Sequence, residues 1–353
     1  MIQDSRPYTE FKQKTFSGYK KRDVMNSLIR SIQSKQIEAS CYWLLEAVLS
    51  GYVVETWENL LYYYSQTIHK NNSKLLAILF EKHKLMKQFT DSLSKKELLE
   101  LRNNQVILHL LITVIVLFIQ TKLDCQFKEP KLKSQDFQAE LLPFKLNSDM
   151  SLLPDTIVNF GEPPELKMIA NEIFYHCKKQ STEKVIYWMS WLLEWERLNI
   201  KNKIQWTLKP RTANVRDKYK QDIVWIFWDI IYSQINAKSK YKQSVDQLYF
   251  LFCDSFDKTK RKRKLVFLWN AVYLITNTKK LPLLEVDYTI LIQAQCNYHK
   301  LLLSKKVNEV HKETPLVKSN KPSKKKKPIL KVEEEKSQQK LNDFNEIDRL
   351  LFL

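Results

Sequence analysis

The sequence predicts an all-α fold: two helical domains joined by an irregular connector, with a disordered basic C-terminal tail. Three observations predict it. Apolar residues recur at helical spacing in both halves of the chain, and strand-type alternation occurs in neither. Glycine is reduced to Gly18, Gly51 and Gly161 in 353 residues, with 11 prolines, too few turn formers for an all-β chain. No two of these glycines are closer than 33 residues, which excludes the glycine-rich phosphate loops of P-loop and Rossmann proteins.

Residues 1–125 make up the first helical domain. Asp23 is a suitable N-cap, and Val24, Met25, Leu28, Ile29 and Ile32 form one helical face behind it. A second helix turns Cys41, Leu44, Leu45, Val48 and Leu49 inward and stops at Gly51, a C-cap glycine. Glu55–Ile68, Ser73–Phe89 and Lys95–Arg102 read as further helices. The apolar run Val106–Ile119, interrupted by His109 and Thr113, is short for a membrane span and suits a buried core helix. Residues 126–162 lose the helical period around Pro130, Pro143, Pro154 and Gly161, and read as the connector. The second domain, 163–304, opens at Pro163-Pro164 with Glu165 beside them. Leu166, Ile169, Ala170, Ile173, Phe174 and Cys177 line one helix; Val185, Trp188, Met189, Leu192 and Trp195 line its partner from Thr182. Helices around Asp217–Gln234, Gln243–Phe256, Lys264–Asn277 and Asp287–Leu303 follow. Residues 305–336, with Lys324–Lys327 between Pro322 and Pro328, have the composition of a disordered basic linker, and 337–353 form a terminal peptide.

An offset of 145 residues superimposes the first helix pair of each half. Leu28 falls on Ile173, Ile29 on Phe174, Glu38 on Glu183, Tyr42 on Tyr187 and Trp43 on Trp188, without a gap. Two independent amphipathic hairpins would explain the same pattern, and two copies are too few for a solenoid.

The stretch from Ser27 to Gly51 resembles the helical hairpin in the C-terminal region of the replication-associated recombination ATPases. Leu28-Ile29-Arg30-Ser31-Ile32 matches the first helix of that hairpin; Tyr42-Trp43-Leu44 and Gly51 match its second helix and stop. The resemblance implies a collar of the clamp-loader type, a region that mediates oligomerisation in the family, and so a homo-oligomer. Val106–Ile119 would fill the place of the family's later apolar helix. The ATPase module of the family has no counterpart here, and Gln33-Ser34-Lys35 replaces the family's Gly-Ser-Asp, so ATP hydrolysis is not implied.

Gln338, Leu341 and Phe344 reproduce the Q-x-x-L-x-x-F frame of a sliding-clamp-binding peptide, with Asn345 where a second aromatic is usual. Phe344, Ile347, Leu350 and Leu351 also fall at helical spacing, so a terminal helix that docks in a groove is the competing reading.

The net charge is +19, and residues 300–353 contribute fourteen basic and eight acidic side chains, so most of the excess lies on the helical body. Two clusters stand out as nucleic-acid contacts: Lys209, Arg211, Arg216, Lys218 and Lys220 after Trp206, and Lys260, Arg261, Lys262, Arg263 and Lys264, which Lys258 precedes. Lys20-Lys21-Arg22 adds a third patch. No catalytic, cofactor or metal motif appears: Cys296 and His299 make half a zinc site, Glu194 and Glu196 diverge on their helix, and His176-Cys177 belongs to the helical pattern. The tryptophans 188, 191, 195, 225 and 228 read as core. Cys41, Cys125, Cys177, Cys253 and Cys296 are scattered and odd in number, which fits reduced thiols inside a cell. The expectation is a non-enzymatic DNA replication or repair accessory factor, acting in the nucleus or at a viral replication site. It would bind DNA through its body and a sliding clamp or another replication protein through its C-terminus, with no membrane contact. The alternative is a structural or assembly protein of a large DNA virus, which the Lys- and Asn-rich composition also fits.

Overall fold

The computed structural model describes residues 2–94, 96–124, 127–128, 130–137, 142–148, 152–204, 207–277 and 287–307. Cys125, Trp206, Lys324–Lys327 and the peptide carrying Gln338, Leu341 and Phe344 lie outside them.

A 3₁₀ turn at Tyr8–Lys12 leads through a single antiparallel bridge between Lys14 and Lys20 into α1 (Lys21–Gln33). Asp23 is inside the first turn of α1, and Lys20 holds the N-cap position without a side-chain bond. An acidic residue there faces the positive end of the helix dipole instead of capping an amide. α2 (Ile37–Leu49) lies against α1 and ends as its glycine requires. Gly51 has φ +80°; its amide donates to Val48 O, and the Tyr52 amide donates to Ala47 O, a Schellman stop. A Cβ at Gly51 would come within 2.8 Å of Leu99 Cδ2, so glycine is needed for space as well as for φ.

α3 (Val53–Thr67) and α4 (Leu75–Thr90) follow, then a 3₁₀ turn at Glu97–Asn103 in place of the expected α-helix. Asn104 caps α5 (Gln105–Gln120) by accepting from the amides of Val106 and Ile107. α5 buries all but a few of its side chains, as its continuous apolar run requires. Among the described residues no single helix is long and apolar enough to cross a membrane. The connector holds a 3₁₀ turn at Ser134–Phe137 and a short α6 (Leu142–Lys145), neither visible in the sequence pattern. It is tied down by side chains of later helices: Trp191 Nε1 donates to Asp136 O, and Glu172 accepts from the amides of Asn147 and Ser148.

α7 (Pro164–Lys178) and α8 (Thr182–Lys201) form the second hairpin. The 145-residue offset carries over to the helix ends: Gln33 maps to Lys178, and Ile37 to Thr182. The left-handed residues of the two turns, Lys35 at φ 59° and Gln180 at φ 56°, map on each other as well. A 3₁₀ turn at Asp217–Tyr219 and α9 (Val224–Ser233) divide the stretch read as one helix from Asp217. α10 (Lys242–Cys253), α11 (Arg261–Thr276) and α12 (Tyr288–Ser304) complete the chain of helices. No β-strand occurs among the described residues.

Residues 1–310 form one compact unit, so the packing does not separate 1–125 from 163–304. α11 lies against α3 as well as α7, α8 and α9; α10 touches α4; and α12 packs on α2 and α5 of the first half. The buried Asn270 amide donates to Ser65 O across this junction. Amphipathic periodicity marks the face each helix buries but not the helix that covers it. Lys305, expected to begin the disordered linker, is fully buried against Glu46.

Helix stops without glycine carry a stability consequence. Lys35, Gln180 and Lys203 occupy the left-handed position that glycine takes at Gly51. In each case the amides of that residue and the next return to the helix in the same Schellman pattern. Lys35→Gly, Gln180→Gly and Lys203→Gly should each raise stability, by ~1 kcal/mol, because the Cβ penalty of αL backbone is relieved. Urea midpoints of the three variants against the parent check this.

Candidate nucleic-acid interface

The second basic cluster sits at a cleft where α3 and α4 of the first half meet α10 and α11 of the second. α3 turns Glu58, Asn59 and Tyr62 toward it, α4 contributes His83 and Lys87, the end of α10 contributes Asp254, and α11 opens with Arg261, Lys262, Arg263 and Lys264. Lys260 Nζ lies 3.2 Å from Glu58 Oε1. The Arg263 guanidinium is 4.8 Å above the Tyr62 ring and donates to Asn59 Oδ1 at 2.7 Å. Asp254 is held by Lys87 at 2.7 Å and lies 3.4 Å from His83 Nε2. Burial pushes the Asp254 carboxyl up, but its hydrogen bonds and charge pairing with His83 and Lys87 more than offset this, so it lies well below the usual carboxylate range. The Trp57 indole N–H donates to His83 Nδ1 at 2.8 Å, which leaves that nitrogen as an acceptor and places any proton of the neutral ring on Nε2, toward Asp254.

Lys264 is turned inward. Its ammonium donates to Leu251 O at 2.8 Å and Asp254 O at 2.5 Å, carbonyls at the end of α10. Burial brings its pKa down to about 8. Arg261 is also turned inward: Nη1 bridges Glu196 Oε2 at 2.7 Å and Asp222 Oδ1 at 3.1 Å. Lys258 and Lys262 are exposed. Two of the five cations of this cluster therefore serve the fold, while Lys260, Lys262 and Arg263 remain at the rim.

The first cluster is dispersed. Arg211 is buried, with Nη2 on Glu162 Oε2 at 2.6 Å and Nη1 on Ile157 O at 2.7 Å. Lys209 is exposed, and its amide donates to Glu162 Oε1. Lys220 pairs with Asp217 at 2.8 Å, and Arg216 and Lys218 both lie about the Tyr219 ring, at 5.1 and 5.0 Å. Glu58, Tyr62, His83, Lys87 and Asp254 were missed by sequence reasoning, since none of them lies in either basic cluster.

No His/Cys/Asp/Glu group among the described residues could hold a metal, although His109 joins Cys296 and His299 in lining one pocket. Glu194 pairs with Arg197, and His176 Nε2 meets Glu172 Oε1 at 2.9 Å. Cys41, Cys177 and Cys253 are buried free thiols and Cys296 an exposed one. Comparison with protein-family models, with curated proteins and with solved structures finds no match for this chain.

Proposed function

We propose that the protein is a non-enzymatic nucleic-acid-binding factor that holds the phosphate backbone of DNA against the cleft at the start of α11. The observation that carries this reading is the first turn of α11. Lys262 and Arg263 stand at the positive end of a helix dipole and at the rim of the cleft, with no acidic residue in that turn, while Arg261 and Lys264 on either side are turned inward. Cations there cost stability, and the same site attracts anions through charge and dipole together. Lys258 and Lys260 extend the positive surface. The net charge of +19 supports sequence-tolerant, salt-sensitive binding.

A role in replication or repair, at the nucleus or a viral replication site, rests on the collar-like hairpin and the clamp-binding frame at Gln338, Leu341 and Phe344. The hairpin also supports self-association.

The test is a salt titration of full-length protein on a labelled duplex. Lys258→Glu with Lys262→Glu should flatten the slope of log K against log salt by about 1.8, about 0.9 for each lost phosphate contact. A second variant replaces Lys324–Lys327 by glutamine. If the charge reversal leaves the slope unchanged while the tail variant removes it, the body is not the binding surface and the proposal fails.

A further inference from the structure

α12 packs on α2 and α5 and buries Ala294, Tyr298, Leu301 and Leu302. Its opposite face carries Ile292, Cys296, His299 and Leu303 at i, i+4, i+7 and i+11, and all four are exposed, Ile292 by 59% and Leu303 by 85%. Steps of four, three and four are those of a seam between two helices. The stripe is also symmetric about a point midway between Asn297 and Tyr298, with an apolar residue four positions outside each of the two inner ones. Those inner residues are metal ligands by type. Cys296 is an exposed free thiol, and His299 lines the same pocket. A thiolate and an imidazole at i and i+3 project from one side of a helix and can share an ion, as Glu-x-x-His pairs do inside helical bundles. His109 of α5 also lines that pocket, yet among the described residues of one chain no group of three such side chains could hold a metal. The set is half complete, and its symmetry says what completes it.

We propose that two copies of this chain pair α12 against α12, antiparallel, and hold one zinc ion between Cys296 and His299 of each copy. A two-fold axis at the midpoint of the stripe sets Cys296 beside His299 of the second copy and Ile292 beside Leu303. Two thiolates and two imidazoles are a four-ligand set of structural zinc, and sulfur and nitrogen donors without a carboxylate favour zinc over magnesium or calcium. The two thiolates cancel the charge of the ion, so the seam gains none. Lys300 is the only charged side chain in α12 and falls opposite Gln295, so a chain of net charge +19 meets its copy here without like charges face to face. Ile292 and Leu303 leave water on both sides of the ion, which adds apolar burial to the metal bonds.

The test is sedimentation of the full-length protein, kept reduced, with zinc and with EDTA, together with the metal content of each species. The expected result is a doubling of mass with zinc, one zinc per two chains, and a monomer in EDTA. Cobalt in place of zinc should give the visible absorption of a four-coordinate ion and the near-ultraviolet band of a cobalt–thiolate bond, both confined to the dimer. Cys296→Ser and His299→Ala should each lose the metal and the dimer, and His109→Ala neither. Ile292→Glu with Leu303→Glu should return the mass toward the monomer at the same zinc concentration. All these positions are exposed, so the far-UV circular dichroism of every variant should match the parent. One zinc per chain, loss of the metal in His109→Ala, a doubled mass that persists in EDTA, or no change of mass with zinc in excess each overturns the proposal.

Discussion

Lys305→Met should destabilise the protein by ~3–5 kcal/mol, the cost of leaving a buried carboxylate without its counter-charge. Lys305 and Glu46 are both fully shielded from solvent, and Nζ lies 2.7 Å from Glu46 Oε2. Ser17 supplies the remaining donors, its amide to Oε1 and its hydroxyl to Oε2, each at 2.7 Å. The ammonium also lies 3.3 Å over the Tyr42 ring. Nothing in this set can reorganise to hydrate Glu46 once the lysine is gone. Guanidinium unfolding of Lys305→Met measures the loss; Glu46→Leu combined with Lys305→Met should recover part of it, since removing both charges leaves only the Ser17 donors unpaired. A double variant no more stable than the single would show that packing, not charge, is what Lys305 supplies. The pair also sets a pH dependence. Burial raises the Glu46 carboxyl, but Lys305 and the hydrogen bonds to it outweigh burial, and the folded value lies below the ordinary glutamate value. The stabilisation is therefore present above the unfolded-state pKa and is lost as pH falls through the folded one.

Arg261→Met should cost a similar ~3–5 kcal/mol, whereas its neighbour Lys262→Met should stay within about 0.5 kcal/mol. Arg261 Nη1 is the shared donor to Glu196 and Asp222, and Asp222 is almost wholly buried. Burial holds the Glu196 carboxyl above the usual range, Arg261 lowers it, and Asp222 raises it; without the guanidinium the two carboxylates face each other uncompensated. Lys262 is exposed. Adjacent cations in one basic run thus separate by assay. Arg261 should move the denaturation midpoint, and Lys262 should move nucleic-acid affinity with the midpoint unchanged. If Arg261→Met melts with the parent, the bridge is not a structural element of the α8–α11 junction.

Much of the secondary structure was legible because its signals are local. The apolar stripe of α7, from Leu166 to Cys177, and the continuous apolar run of α5 each mark a helix within a few residues of its observed ends. Gly51 marked a stop because only glycine takes that backbone with Leu99 so near. Lys35, Gln180 and Lys203 make the same stop with side chains that carry no such signal. The stretch from Asp217 read as one helix, yet Asp222 turns to Arg261 and the helix starts only at Val224.

By itself the sequence determined that this chain is helical, that its charge is strongly positive, and where most helices begin and end. Those properties follow from composition and from a repeat of 3.6 residues, both read within one or two turns. Only the tertiary structure decided that α12 belongs with α2 and α5, that α11 joins the two halves, and that Lys305 pairs with Glu46 from 259 positions away. It also decided which cations stay at the surface: Arg211, Arg261 and Lys264 look like Lys262 in a basic run but meet carboxylates or carbonyls once the chain is folded. A charge is placed by the groups that surround it in space, and local periodicity carries no record of which distant residues those are.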